Sequence, residues 1–376
     1  MSHALTNCRI WTGSGWRDRH AVLISDGRIT DIVGADDIPV GTTREDLGGG
    51  ILVPGFIDVQ VNGGGGVLFN DCTSLEDLTT LAATHRRFGT TGLLPTVISD
   101  SWSVMVEKAE LIRAAITAGT PGILGLHFEG PYLNVERKGV HDAQQIRAVD
   151  EAFIELVTAG DLGAVVVTLA PEMVPLALIK TLADAGVRVA AGHSNATYEQ
   201  TRAALDAGLS GFTHLFNAMA PMLSRAPGLI GAALSDTESF CGIIADGHHV
   251  HPATLRAAIA ARGPGHMMLV TDAMPTVGTH LTRFALNGEK ITVANGRCET
   301  ADGVLAGSCL DMAAAARYAI SELEQTAEDA WSMASSVPAS FLGLEDSFGQ
   351  IEAGYAADLV LLDHNKQVTR SWIGGR

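Results

Sequence analysis

Short apolar runs, each closed by glycine or a polar residue, recur along the middle of the chain at residues 51–61, 92–99, 123–129, 164–169, 188–193, 212–216, 240–244 and 266–271. Their continuity predicts strands buried on both faces, as in a parallel sheet, and not the alternation of a strand with one wet face. Several of the intervening stretches carry helical spacing instead, at 102–118, 150–159, 175–185 and 197–207. The last of these opens with Thr197 and Gln200 at the spacing of a capping box. Eight strands interleaved with helices fit an α/β fold of the (β/α)8 TIM-like barrel type better than an open sheet.

The two ends of the chain read differently. Residues 1–52 alternate short β-prone runs (5–11, 21–25 and 28–33) with turns, Asp26-Gly27 among them. A sheet of that size is too small to stand alone. The far end offers a partner, with a turn between Gly349 and Gly354, a strong strand running to Asp363 and another at 367–373. The expected organisation is a small β-sandwich domain formed by 1–52 and 346–376, enclosing one continuous barrel domain at 53–345. Residues 280–303, with turns at Asn287-Gly288 and Asn295-Gly296, read as a β-hairpin inserted into the barrel.

The residues on which the strands end carry the chemistry. Glu129 closes Gly-Leu-His-Phe-Glu just before Gly130-Pro131, His193 follows Ala-Ala-Gly, His214 follows Phe-Thr and Asp272 follows Leu-Val-Thr. A carboxylate at the end of a buried strand is costly unless a cation meets it. Four such endings are hard to explain by core packing. In a barrel the C-terminal strand ends converge on one face, so strands three, five, six and eight would bring these side chains together. Glu129, His193 and His214 then form a sound three-ligand set for zinc or another borderline divalent ion, with one position left open. Asp272 needs no direct ligation to serve there, because it can take a proton from water and later deliver it to a leaving group.

Charge and cysteine usage narrow the partners. A formal net charge of −17 argues against nucleic acid and anionic membrane surfaces, both of which demand a basic face. An anionic substrate would therefore need local cations to hold it. Cys8, Cys72, Cys241, Cys298 and Cys309 are scattered, odd in number and without Cys-x-x-Cys spacing, as expected of inert thiols in a reducing cytoplasm. The N-terminus has no signal-like design and no apolar run approaches a membrane span, so a soluble protein is expected.

Pro-Gly-Phe-Ile-Asp at 54–58, Gly-Leu-His-Phe-Glu-Gly-Pro at 125–131, Gly-His-Ser-Asn at 192–195, Thr-His-Leu-Phe-Asn-Ala-Met at 213–219, Thr-Asp-Ala at 271–273 and Gly-Tyr-Ala-Ala-Asp-Leu-Val at 354–360 resemble the amidohydrolase superfamily. Over nearly its whole length the chain is similar, within that superfamily, to the N-acetylglucosamine-6-phosphate deacetylase family. The resemblance implies metal-dependent removal of acetate from an amino sugar phosphate, and a homodimer. It makes Glu129, His193 and His214 ligands of one divalent ion, with Zn2+ first and Fe2+, Co2+ or Mn2+ as alternatives, and makes Asp272 the general base and then acid. His141 matches a histidine that contacts the sugar and polarises the acetyl carbonyl. Asn217 and Ala218 match a backbone site for the phosphate, with Arg225 and His249 supplying charge. Leu305, Ala306 and Gly307 match a loop lining the sugar pocket.

One departure bears on the metal count. Many amidohydrolases carry His-x-His at the end of the first strand and bind two ions, whereas this chain has Gln60-Val61-Asn62, which are poor divalent ligands. A single ion is expected. Alternatives from the same superfamily are deacetylation of the galacto epimer and hydrolysis of an N-acyl amino acid or a cyclic amide, although Arg225 with His249 speaks for a phosphorylated substrate. A catalytically inert barrel serving as a scaffold is the alternative from another class, and retention of all four strand-end positions speaks against it.

Overall fold

The computed structural model describes residues 3–376. Eight parallel strands occur in sequential order: β1 (Phe56–Val61), β2 (Thr90–Ile98), β3 (Gly125–Glu129), β4 (Ala164–Leu169), β5 (Arg188–Ala191), β6 (Gly211–Phe212), β7 (Phe240–Ile243) and β8 (Met267–Leu269). The sheet meets itself just beyond β8. Ala273 bridges Val61 in parallel, Asp272 N donates to Gln60 O at 3.0 Å, and Gly63 N donates to Ala273 O at 2.8 Å. The fold is a TIM barrel. Strands β1, β2 and β3 are buried at every position, which is why they read as unbroken apolar runs.

Inward-facing Ile57, Val59, Leu94, Val166 and Met268 fill the barrel, together with Phe341 from a helix at Ser336–Leu342. Close packing extends to the backbone. A Cβ at Gly125, the first residue of β3, would lie 1.8 Å from the carbonyl oxygen of Ala164, so only glycine fits there.

The helices expected from spacing all form: α2 (Trp102–Ala118), α3 (Glu151–Thr158), α4 (Leu176–Asp184) and α5 (Tyr198–Asp206), the last with the Thr197–Gln200 capping box in place. Others arise where no helix is expected from the sequence. They include α1 (Leu75–Arg86), α6 (Gly228–Ser235), α8 (Met312–Ser321), α9 (Ala327–Ala334) and α10 (Ser336–Leu342). The helix α7 (Pro252–Arg262) begins at His251, whose side chain caps it by accepting from Ala253 N.

Three sequence expectations need correction. The run expected at 51–61 is two strands, because Ile51–Pro54 pairs with Leu359–Leu362 and the chain enters the barrel only at Phe56. The strand expected at 212–216 stops at Phe212, leaving His214 in a turn. The inserted hairpin is the first part of a four-stranded antiparallel meander, Arg283–Leu286, Glu289–Ala294, Arg297–Glu299 and Leu305–Ser308. Asn287 and Asn295 take the left-handed backbone that its two tight turns require. Leu305, Ala306 and Gly307 therefore lie on a strand and not in a loop.

The chain ends build two further sheets. One has four strands, Arg28–Gly34, His20–Ser25, His3–Thr6 and Thr43–Asp46. The other has five, Val368–Trp372, Leu359–Leu362, Ile51–Pro54, Arg9–Trp11 and Trp16–Arg17. Leu5, Val22 and Ile24 of the first share one buried cluster with Ile10, Leu52 and Trp372 of the second. Among the described residues no helix is long and apolar enough to cross a membrane.

Candidate active site

Glu129 is the last residue of β3, and His193, His214 and Asp272 lie two or three residues beyond β5, β6 and β8. All four are buried. His193, His214 and Asp272 also share a left-handed backbone, with φ of 50°, 33° and 51°. That conformation is costly for a residue with a side chain and is typical of positions where a group is aimed for function.

The first three side chains touch. Glu129 Oε1 lies 3.1 Å from His193 Nε2 and 2.9 Å from His214 Nε2, and the two Nε2 atoms are 3.1 Å apart. His193 Nδ1 is 2.8 Å from the carbonyl oxygen of Arg137, to which it must donate, so its Nε2 presents a lone pair to the cluster. Burial works against charge here, yet the neighbouring imidazoles hold the Glu129 carboxyl well below its usual range, and Glu129 holds His214 above its own. Lone pairs converging this closely in a dry site call for a positive charge between them. One carboxylate and two imidazoles, with ligand atoms all within 4.8 Å of one another, fit a borderline divalent cation.

Asp272 stands beside this cluster and outside it. Its Oδ1 accepts from Asn62 Nδ2 at 2.6 Å and from Gln60 Nε2 at 3.2 Å, and the same amide nitrogen of Gln60 lies 3.2 Å from Glu129 Oε1. Burial, with Glu129 nearby, pushes the Asp272 carboxyl up to about 6. Behind it, the buried Asp58 carboxylate accepts from Thr271 Oγ1 at 2.5 Å and from Thr271 N at 3.3 Å, which fixes the backbone that carries Asp272.

His141 lies within the same wall, its ring 4.6 Å from that of His193. Ser99 N donates to His141 Nδ1 at 3.3 Å, which leaves the proton of the neutral ring on Nε2. Burial, with His193 close by, lowers its basicity to a pKa of about 3, so the ring stays neutral and acts as a donor.

A cleft of about 490 Å³ opens above these groups. Of the residues singled out in the sequence, it brings together Glu129, His141, His193, His214, Asn217, Ala218, His249, Asp272, Leu305 and Gly307. Ala306 is buried behind the wall. Arg225 is exposed and does not line the cleft of its own chain. His249 is held by Asp246, whose Oδ2 lies 2.6 Å from its Nδ1.

Several members of the site are not apparent from the sequence. Asn62, read there only as a poor ligand, lines the cleft as a donor to Asp272, and Arg137 and Arg297 bring cations to it. Glu172, beyond β4, receives Ser194 Oγ at 2.6 Å and Asn195 N at 2.6 Å and so steadies the turn that carries His193. Its place three residues past the end of β4, another carboxylate closing an apolar strand, is the signal in the sequence that could have pointed to Glu172.

Residues 51–376 match the model of the amidohydrolase family, and residues 2–52 match one described as the NagA composite domain. The N-acetylgalactosamine-6-phosphate deacetylase of Shewanella sp. (strain ANA-3) is 42% identical over 98% of this chain and 93% of its own length. The N-acetylglucosamine-6-phosphate deacetylase of Haemophilus influenzae is 34% identical over 100% and 99%. The crystal structure of N-acetylglucosamine-6-phosphate deacetylase from Pasteurella multocida superposes with a TM-score of 0.96 at 33% identity, covering 100% of this chain and 99% of that one. Matched by the family model from residue 51 to its end, and by relatives along its whole length, the chain belongs to the amidohydrolase family.

Proposed function

We propose that the protein removes acetate from N-acetyl-D-glucosamine 6-phosphate in a metal-dependent hydrolysis that leaves D-glucosamine 6-phosphate. The observation that carries this reading is the convergence of Glu129, His193, His214 and Asp272 beneath one cleft, in a chain whose full-length relatives are named as deacetylases of amino sugar phosphates.

Glu129, His193 and His214 would hold one divalent ion, zinc being the first choice for that donor set. Such an ion supplies Lewis acidity, which acidifies water and stabilises a growing oxyanion. Asp272 takes the proton of the attacking water and returns it to the amine nitrogen as the C–N bond breaks. His141 donates from Nε2 to the acyl oxygen, where negative charge develops in the tetrahedral stage. His249, oriented by Asp246, receives the phosphate together with Asn217 and the backbone at Ala218, while Leu305 and Gly307 wall the sugar and Ala306 packs behind them. We assign Arg225, exposed and outside its own cleft, to the phosphate in a neighbouring subunit's cleft within a homodimer.

A second reading is supported by the 42% identical relative, whose name gives the galacto epimer as its substrate. Acetate release by the metal-loaded protein, from N-acetylglucosamine 6-phosphate, its galacto epimer and unphosphorylated N-acetylglucosamine, decides between them. A preference of about 100-fold for a phosphorylated sugar, roughly 3 kcal/mol of transition-state discrimination, is expected. Equal rates with and without phosphate would remove the phosphate site, and a faster galacto epimer would put the second reading first.

A further inference from the structure

Two of the five cysteines meet across the inserted meander. Arg297 pairs with Ser308 in antiparallel register, which makes Cys298 and Cys309 diagonal neighbours on one face. Their sulfurs are 3.2 Å apart. Cys298 is buried, whereas Cys309 is half-exposed at the edge of a hollow of about 230 Å³ shared with Asp246, His248 and Tyr318. Cys8, Cys72 and Cys241 are each buried, and burial pushes their thiols up to about 12. Cys309 is the opposite case: the hydrogen bond from the Cys298 thiol draws it below the usual thiol range. One sulfur is thus reachable and nucleophilic, and its neighbour is positioned to resolve it.

The pair is also tied to the cleft. Arg297, next to Cys298, lines it, as do Leu305 and Gly307 on the opposing strand. Ser308, next to Cys309, donates from Oγ to Thr271 O at 2.5 Å and from N to Asp272 O at 2.9 Å. A bond between the two sulfurs would lock the strand that carries Arg297 to the one whose Ser308 already holds the backbone of Asp272.

We propose that Cys298 and Cys309 form a reversible thiol oxidation site, which a peroxide converts to an intramolecular disulfide that restrains the cleft. The Cys309 thiolate attacks one peroxide oxygen, giving the sulfenic acid and hydroxide. The Cys298 sulfur then displaces hydroxide from that acid, its proton leaving with it as water. Two thiols are oxidised by two electrons and one hydrogen peroxide is reduced to two waters. Small thiols reverse the reaction by exchange.

The test treats the purified, metal-loaded protein with hydrogen peroxide and reads intact mass and linked peptides. A loss of about 2 Da, a peptide joining Cys298 to Cys309, and reversal by dithiothreitol are expected. Oxidised Cys298→Ser should instead gain oxygen at Cys309 without that link. Thiol loss spread over Cys8, Cys72 and Cys241, or no 298–309 peptide, would overturn the site. A second arm rests on the deacetylase reading. Acetate release should fall in the oxidised protein and return with dithiothreitol, while Cys298→Ser and Cys309→Ser keep their rates under peroxide. An unchanged rate in fully linked protein would overturn the coupling to the cleft, and the mass readout stands whether or not the protein deacetylates anything.

Discussion

Asn62 Nδ2 lies 2.6 Å from Asp272 Oδ1, which commits that oxygen to accepting from Asn62 and leaves Oδ2 for the proton exchange proposed for this carboxyl. The donor stabilises the ionised carboxylate against the burial that raises its pKa to about 6. Removing it in Asn62→Ala should raise the Asp272 pKa by about one unit or more, given roughly 1.5–3 kcal/mol for a hydrogen bond to a charged group. The acidic limb of kcat/KM for acetate release should move to higher pH by that amount. An unmoved limb would mean that Asp272 does not set it.

Asp246 and His249 form a second pair whose geometry makes a prediction. The 2.6 Å contact fixes the His249 ring at the cleft, and although burial opposes it, the hydrogen bonds from His249 keep Asp246 ionised. Asp246→Asn should raise KM for the phosphorylated substrate by roughly 10- to 100-fold and leave kcat nearly unchanged. A loss confined to kcat would place His249 in the chemistry and not at the phosphate.

His85, on α1, supplies a test of acid stability at a residue that is not among the proposed metal ligands. Its Nε2 donates to Gly63 O at 2.9 Å, and burial lowers its pKa from 6.5 to about 4. The unfolded chain therefore takes up a proton that the folded protein refuses. Stability is complete above pH 6.5 and is lost as pH falls towards 4, by about 3 kcal/mol if the ring stays dry. His85→Gln keeps a donor and does not titrate, so its urea unfolding free energy should fall less than the wild type over that window. Parallel curves would assign the acid loss to other groups.

Gly125→Ala tests how tightly β3 is held. With the new methyl 1.8 Å from the carbonyl oxygen of Ala164, the strand cannot keep its pairing with β4. A loss of several kcal/mol, read as a large drop in melting temperature or as insoluble protein, is expected. Near-wild-type stability would show that the strand can move, and the position of Glu129 with it.

The barrel was legible because its parallel strands are buried on both faces, so apolar runs ending in glycine or a polar residue had few other readings. The strand-end groups Glu129, His193, His214 and Asp272 followed from the same signal. The helices α8 to α10 were not legible in the same way: the face that α8 buries is made mostly of alanines (Ala313, Ala315, Ala316 and Ala319), small side chains that give a weak apolar signal in the sequence. The residues that support the site were hidden for a different reason. Asn62 and Asp272 are 210 positions apart, and Ser99 and His141 are 42 apart, so their contacts exist only once the barrel closes. Arg225 carried a signal of phosphate chemistry yet lies outside its own cleft.

The most direct measurement is single-substrate turnover of Asp272→Asn alongside its bound metal. Asparagine keeps the shape and the contact to Asn62 and Gln60 on one side but cannot take a proton. One metal ion per chain should remain, because Glu129, His193 and His214 are untouched, while kcat for acetate release should fall by about 100-fold or more with KM little changed. Near-normal turnover with full metal content would contradict the assignment of Asp272 as the proton carrier, and absence of stoichiometric metal in the wild type would contradict the metal centre itself.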